Sequence, residues 1–167
     1  MTLQDVAKLI ASAPRALDPA HITRVTEDSR RCIPGTVFVA AQGTKVDGHD
    51  FIPFAVGAGA VAVLGERTGI TQSAGVPYFS VPNARRALGI LAHALHGSPS
   101  KHMTVIGVTG TNGKTTTARM VQRILHTHGA TCACFGTIGY DIAGTVYEAK
   151  HTTPFGEELA EMFARAR

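Results

Sequence analysis

Residues 105–125 read VIGVTGTNGKTTTARMVQRIL. Val105, Ile106 and Val108 precede a turn broken by Gly110 and Gly113, and beyond it Ala118, Val121 and Leu125 recur at helical spacing. This order predicts a strand over 103–108, a glycine-lined turn and a helix over 115 to about 128. Glycines in such a turn let backbone N–H groups approach phosphate oxygens, and the helix N-terminus adds partial positive charge. Lys114 has the reach for terminal phosphates, and the Thr115 hydroxyl is the type of ligand that holds a bridging Mg2+ ion. The segment Gly110, Thr111, Asn112, Gly113, Lys114, Thr115, Thr116 is therefore the candidate site for ATP. The general phosphate-loop pattern has glycine five residues before Gly113, whereas Val108 stands there, so GTNGKTT is a variant form. The alternative, a chance Gly-Lys-Thr string in a loop, fits less well with an apolar strand before the turn and an amphipathic helix after it.

Upstream, residues 2–12 carry Leu3, Val6, Ala7 and Ile10 on one helical face, with Thr2 and Asp5 spaced as a capping box. A strand is expected in HITRVTEDSR, ending at Asp28-Ser29-Arg30, and a buried one over 37–41. A short helix is expected from about Asp50, strands over 60–64 and in VPYFSV, and a helix from Asn83 with Ala84, Ala87, Leu88, Leu91 and Leu95 on one stripe. HGSPSKH, residues 96–102, clusters Gly, Ser and Pro between a helix and a strand, which places a domain boundary there: 1–98 and 99–167. Downstream, a strand is expected over 131–135, a hairpin around Ala143-Gly144 and a helix beginning at Pro154. Strands alternating with helices predict an α/β protein with largely parallel sheets.

The 167 residues are 44% hydrophobic and 17% charged, a balance that argues against disorder. No apolar run approaches the roughly 18 residues that span a bilayer, and the first residues lack the pattern of a signal peptide. A cytoplasmic location and no membrane partner are the expectations. The +4 formal charge favours anionic partners, but the basic residues are dispersed and aromatics are 6%, so no nucleic-acid partner is expected. Cys132 and Cys134 alternate within an expected strand and read as small buried hydrophobes; a metal pair is the alternative.

GTNGKTTT after an apolar strand resembles the Mur ligases and the related folylpolyglutamate synthases. TEDSRRCIPGTVFVAAQG is similar to the N-terminal domain of the Mur ligases, in which an Asp-Ser-Arg turn precedes a Pro-Gly-x-x-Phe-x-Ala strand. GTKVDGHDFIPFAVGAGAVAVL and GTIGYDIAGTVYEAKHTTP look most like the subgroup that adds the third peptide residue, in preference to the one that adds a D-alanyl-D-alanine dipeptide. The resemblance covers essentially the whole chain and implies an ATP- and Mg2+-dependent ligase of peptidoglycan precursor synthesis. Such an enzyme activates the carboxylate of UDP-N-acetylmuramoyl-L-alanyl-D-glutamate as an acyl phosphate and joins it to a diamino acid, meso-diaminopimelate or L-lysine.

Residue by residue, the resemblance places Glu27 and Ser29 at the uridine-diphosphate part of that substrate, Thr44, Lys45 and Val46 in the loop that closes on the uridine, and Thr152 and Thr153 at the muramoyl-dipeptide portion. His151 stands where the family uses an amide side chain. Read from the residues alone, Asp28-Ser29-Arg30 is first an Asx turn with a surface arginine, Lys45 to Gly48 a solvated loop, and Thr152-Thr153-Pro154 a helix cap, a role compatible with an anion site. In the family the phosphate-loop domain continues for several more strands and a third domain binds the amine. The chain is thus expected to be a fragment, inactive by itself as a ligase, with an exposed sheet edge and apolar face in its last third. A non-catalytic uridine-nucleotide-binding module is the rival from another class. A GTPase-like switch is disfavoured because the chain lacks the Asn-Lys-x-Asp base-recognition motif.

Overall fold

The computed structural model describes residues 22–43, 46–149, 154 and 156–167. The helix expected over 2–12 lies outside them. The chain divides into two units, Met1–Leu95 and His96–Arg167.

In the first unit the strands are β1 (Arg24–Thr26), β2 (Thr36–Ala40), β3 (Ala60–Gly65), β4 (Gln72–Ser73) and β5 (Val76–Ser80). They form one sheet in the order β1-β2-β3-β5-β4, in which β1, β2, β3 and β5 run parallel and β4 is an antiparallel edge. Among the described residues two α-helices, α1 (Ile52–Gly57) and α2 (Ala84–Leu95), accompany it.

The run TVFVA shows why β2 is central. It is apolar without interruption, as a strand covered on both faces must be. Period-two alternation sends Val37 and Val39 to one cluster with Ala62, Leu64, Ala84, Ala87 and Leu88, the last three on α2. Phe38 and Ala40 go to the other, with Val63, Tyr78 and the α1 residues Ile52 and Ala55. The result is a three-layer αβα unit. Because the four parallel strands point the same way, the segments after β1, β2 and β3 leave from one sheet edge, where open α/β sheets take their ligands.

In the second unit helix α3 spans Lys114–Thr127. Three strands follow, β6 (Ala133–Gly136), β7 (Gly139–Ile142) and β8 (Thr145–Tyr147), and then helix α4 (Gly156–Ala166). The hairpin expected at Ala143-Gly144 joins β7 to β8, with φ positive at both residues (50° and 89°), the backbone of a tight hairpin turn. Tyr140, Ile142 and Met162 form the small core, and Phe135 packs edge-on against Tyr140 and tilted against Phe163.

Three expectations fail here. Residues 103–108 are not a strand, and Val105 and Ile106 are 52% and 59% exposed. A strand is stabilised by its neighbours, and among the described residues no strand pairs with this segment. The strand expected from Thr131 begins at Ala133 and runs antiparallel to its neighbour, because apolar periodicity carries no information about strand direction. Helix α4 begins at Gly156, two residues after Pro154, with Glu157 and Glu158 in its first turn, where acidic groups complement the helix dipole. Helix α3 buries none of its residues, and Met120 and Ile124 stand 61% and 58% exposed. An apolar face is thus open to solvent in the second unit.

Candidate functional site

The phosphate loop is built from backbone. Gly110 has φ of 150° and Gly113 of 76°, values that side-chain-bearing residues rarely adopt. They lie where the chain turns into α3. Gly113 is the N-cap of that helix, and no side chain caps it. The first N–H groups of a helix have no intrahelical partner, so this end offers donors and positive potential to an anion. Lys114 Nζ lies inside the bend, donating to the carbonyl of Gly110 at 2.6 Å. That exposed bond is worth about 0.5–1.5 kcal/mol net, less than a charge-assisted bond to a phosphate, so an incoming anion displaces it readily.

The hydroxyl of Thr115 sits 3.1 Å from that of Thr137, which follows β6. Two hydroxyl oxygens at the mouth of an uncapped helix suit a hard cation such as Mg2+, which prefers oxygen ligands and retains water. Reading the sequence did not single out Thr137. Its only signal was its place in the Gly-Thr-x-Gly segment after β6.

The helix carrying Lys114 is tied down one turn later. Arg119 donates to Asp141 at 2.8 Å and to Gln122 at 2.9 Å, Gln122 donates to Asp141 at 3.1 Å, and Asp141 also accepts from Gly144 N–H at 3.0 Å. Burial alone would raise the Asp141 carboxyl above its usual range, but the bonds from Gln122, Gly144 and Arg119 outweigh it and hold it below. A groove of about 990 Å³ runs beside α3, lined by Val105, Val108, Ala118, Val121, Leu125 and Phe135 among others. Cys134 is buried at β6, as expected of a small hydrophobe, whereas Cys132 lies before the strand and is only half-buried, so the expectation holds for one of the two.

At the carboxyl edge of the first unit, Asp28 caps a 3-10 turn over Ser29–Arg31. It accepts from Arg30 N–H at 3.1 Å and from the Arg30 guanidinium at 2.9 and 2.8 Å. The Asx-turn reading of these residues therefore holds, and it leaves Ser29 buried just beyond β1. Glu27, on the same segment, lies 3.7 Å from Arg85. Beyond β2, Val46 is 53% exposed. Thr44, Lys45, His151, Thr152 and Thr153 lie outside the described residues.

Next to Val46 is a hydrogen-bonded chain that reading the sequence missed. Asp47 accepts from His49 Nδ1 at 2.7 Å, His49 Nε2 meets the Tyr78 hydroxyl at 2.8 Å, and Arg67 donates to Asp47 at 2.9 Å. Asp47 and His49 are two residues apart and visible together, but Tyr78 is 29 residues from His49 and nothing local announces it. The backbone and ring N–H groups of His49, with the Arg67 guanidinium, hold the Asp47 carboxyl down at about 2, against 3.8 ordinarily. A depressed folded-state value contributes stability above the ordinary value and loses it as pH falls through the lower one. Urea unfolding is therefore expected to show stability falling between pH 4 and 2, and Asp47→Asn to flatten that part of the curve.

Two family profiles match the chain. That described as "Mur ligase family, catalytic domain" covers residues 21–96, and that described as "Mur ligase middle domain" covers residues 108–167. The chain belongs to the Mur ligase family.

Among Mur ligase relatives, the UDP-N-acetylmuramyl-tripeptide synthetase of Deinococcus radiodurans is 42% identical over 96% of this chain and 34% of its own length. The UDP-N-acetylmuramoyl-L-alanyl-D-glutamate--2,6-diaminopimelate ligase of Geobacillus thermodenitrificans is 44% identical over 85% of this chain and 28% of its own. The chain thus spans about a third of the length of the curated Mur ligases it matches. The fold is that of a solved 2,6-diaminopimelate ligase (TM-score 0.67, 23% identity, 98% of this chain and 33% of that one). It is also that of MurF from Acinetobacter baumannii (TM-score 0.57, 24% identity, 99% and 33%). No helix among the described residues is long and apolar enough to cross a membrane.

Proposed function

We propose that this Mur ligase chain supplies the uridine-substrate and ATP sites of an ATP-dependent amide-bond ligase of peptidoglycan precursor synthesis. The ligase joins a diamino acid to UDP-N-acetylmuramoyl-L-alanyl-D-glutamate through an acyl phosphate. The observation that carries this reading is the uncapped N-terminus of α3 behind Gly110 and Gly113 with Lys114 inside the bend, in a chain whose relatives are named for that reaction. Those names favour 2,6-diaminopimelate as the added residue. Residues 1–98 are the uridine-substrate domain and 99–167 belong to the ATP-binding domain.

Each residue has a stated task. The amides of Gly110 to Thr116 surround the triphosphate, and Lys114 neutralises charge on its terminal phosphate, which lets a substrate carboxylate approach a second anion. Thr115, with Thr137 beside it, would hold Mg2+, which would supply further neutralisation of negative charge. Glu27, Ser29, Thr44, Lys45 and Val46 receive the uridine-diphosphate end, and His151, Thr152 and Thr153 the muramoyl-dipeptide end. The protein's contribution is position and charge, with no covalent intermediate on a side chain.

Calorimetric titration with UDP-N-acetylmuramoyl-L-alanyl-D-glutamate tests the substrate half. Saturable binding is expected, with stabilisation of about 2.7 kcal/mol at a ligand concentration a hundredfold above Kd. A folded chain that gives neither heat nor thermal stabilisation with this nucleotide contradicts the reading.

A further inference from the structure

The chain Asp47–His49–Tyr78 reaches across β3, from the segment after β2 to β5. Asp47 and His49 lie in the segment after β2, and Tyr78 lies in β5, whose partner β3 is also the partner of β2. His49 is buried, at 8% exposure, and Tyr78 at 4%. The bond directions follow from the donors present. Ionised Asp47 only accepts, so His49 Nδ1 carries the proton and donates to it. On the other side of the ring, Nε2 and the Tyr78 hydroxyl form the next link at 2.8 Å. The Tyr78 oxygen in turn accepts from Arg67 N–H at 3.1 Å. Every polar atom in the chain is used, and the segments after β2 and β3 are fastened to one another through the phenol of β5.

Two further observations show what the fastening shapes. The segment after β2 closes on itself as a narrow neck: Gly43 N–H donates to Val46 at 3.0 Å, Gly48 N–H donates to Ala41 at 3.0 Å, and Gln42 bridges Asp47. Asp47, within that neck, is the acceptor for both His49 and Arg67. The space for the chain comes from Gly65 at the end of β3, where a Cβ would stand 2.6 Å from His49 Nε2 and closer still to the Tyr78 hydroxyl.

We propose that Asp47, His49 and Tyr78 are positioning residues for the uridine-nucleotide substrate, holding the neck after β2 at the carboxyl edge in the shape that receives it. This rests on the reading of that edge as the uridine site. None of the three touches the substrate in this account; they act through the backbone of Gly43 and Val46.

Tyr78→Phe keeps the packing of the ring and removes the hydroxyl that joins His49 to Arg67. The full chain is compared with its variant at a temperature well below the unfolding of either. The amides of Gly43 and Gly48 are expected to exchange with solvent about tenfold faster in Tyr78→Phe, with Val39 and Val63 unchanged. Affinity for UDP-N-acetylmuramoyl-L-alanyl-D-glutamate is expected to fall about tenfold, with affinity for ATP unchanged. Asp47→Asn, which weakens the same chain from its other end, is expected to do likewise. A lowered Tm with unchanged neck exchange and unchanged uridine-nucleotide affinity would mean a merely structural role and overturns the proposal. If the wild-type chain does not bind the uridine nucleotide, the reading of the edge fails and the positioning role with it, whatever the exchange data show about the neck.

Discussion

Phe38→Ala is expected to lower the unfolding free energy of the first unit by about 3–5 kcal/mol, the range for emptying a phenylalanine-sized space in a close-packed core. Phe38 is 1% exposed at the middle of β2, the strand that β1 and β3 flank. Its ring contributes to the cluster that includes Val63, Tyr78, Ile52 and Ala55, so the space left behind is walled by a strand, a helix and a hydrogen-bonded tyrosine. None of these collapses easily. Domains are stable by only about 5–15 kcal/mol, so the loss is a large part of the total. Phe54→Ala on α1 is the control, because that ring is 60% exposed; its effect is expected to stay within about 0.5 kcal/mol. Urea unfolding followed by far-ultraviolet circular dichroism reads both. Equal midpoints for the two variants would contradict the three-layer packing.

Lys114→Ala is expected to weaken Mg·ATP binding about tenfold to a hundredfold. The estimate follows from a charge-assisted hydrogen bond worth about 1.5–3 kcal/mol, at about 1.4 kcal/mol per factor of ten. Without nucleotide the substitution loses only one exposed bond to Gly110, so the fold is expected to be unaffected. Lys101→Ala, on the exposed turn before the loop, changes the net charge equally and is expected to leave affinity unchanged. Fluorescence titration with a labelled ATP analogue separates the two. Equal losses would show that the chain attracts nucleotide only through its overall charge.

The parts of this protein that were legible in its sequence are those whose cause is local. TVFVA declares a buried strand, Ala143-Gly144 a hairpin, and the glycine-broken turn before Lys114 a helix start, because each depends on residues within a few positions. Residues 103–108 are also rich in apolar residues, yet they pair with no strand among the described residues, since a ladder needs a second strand and the sequence of one does not say where the other is. Thr137 and Tyr78 were missed for the same reason. The partner of each, Thr115 and His49, lies 22 and 29 residues away, and only the fold brings them together. The direction of β6 was equally hidden: Ala133 to Gly136 alternates in the same way whether its neighbour runs with it or against it.

The central claim is that the bend from Gly110 to Lys114 grips a triphosphate. An amide-resolved NMR titration of the full, isotopically labelled chain with Mg·ATP tests it most directly. The account predicts saturating shifts that are largest at Gly110, Gly113, Lys114 and Thr115, spread to Thr137, and weaken strongly in Lys114→Ala. Unmoved amides in that bend at millimolar nucleotide, or saturating shifts confined to other parts of the chain, would contradict it.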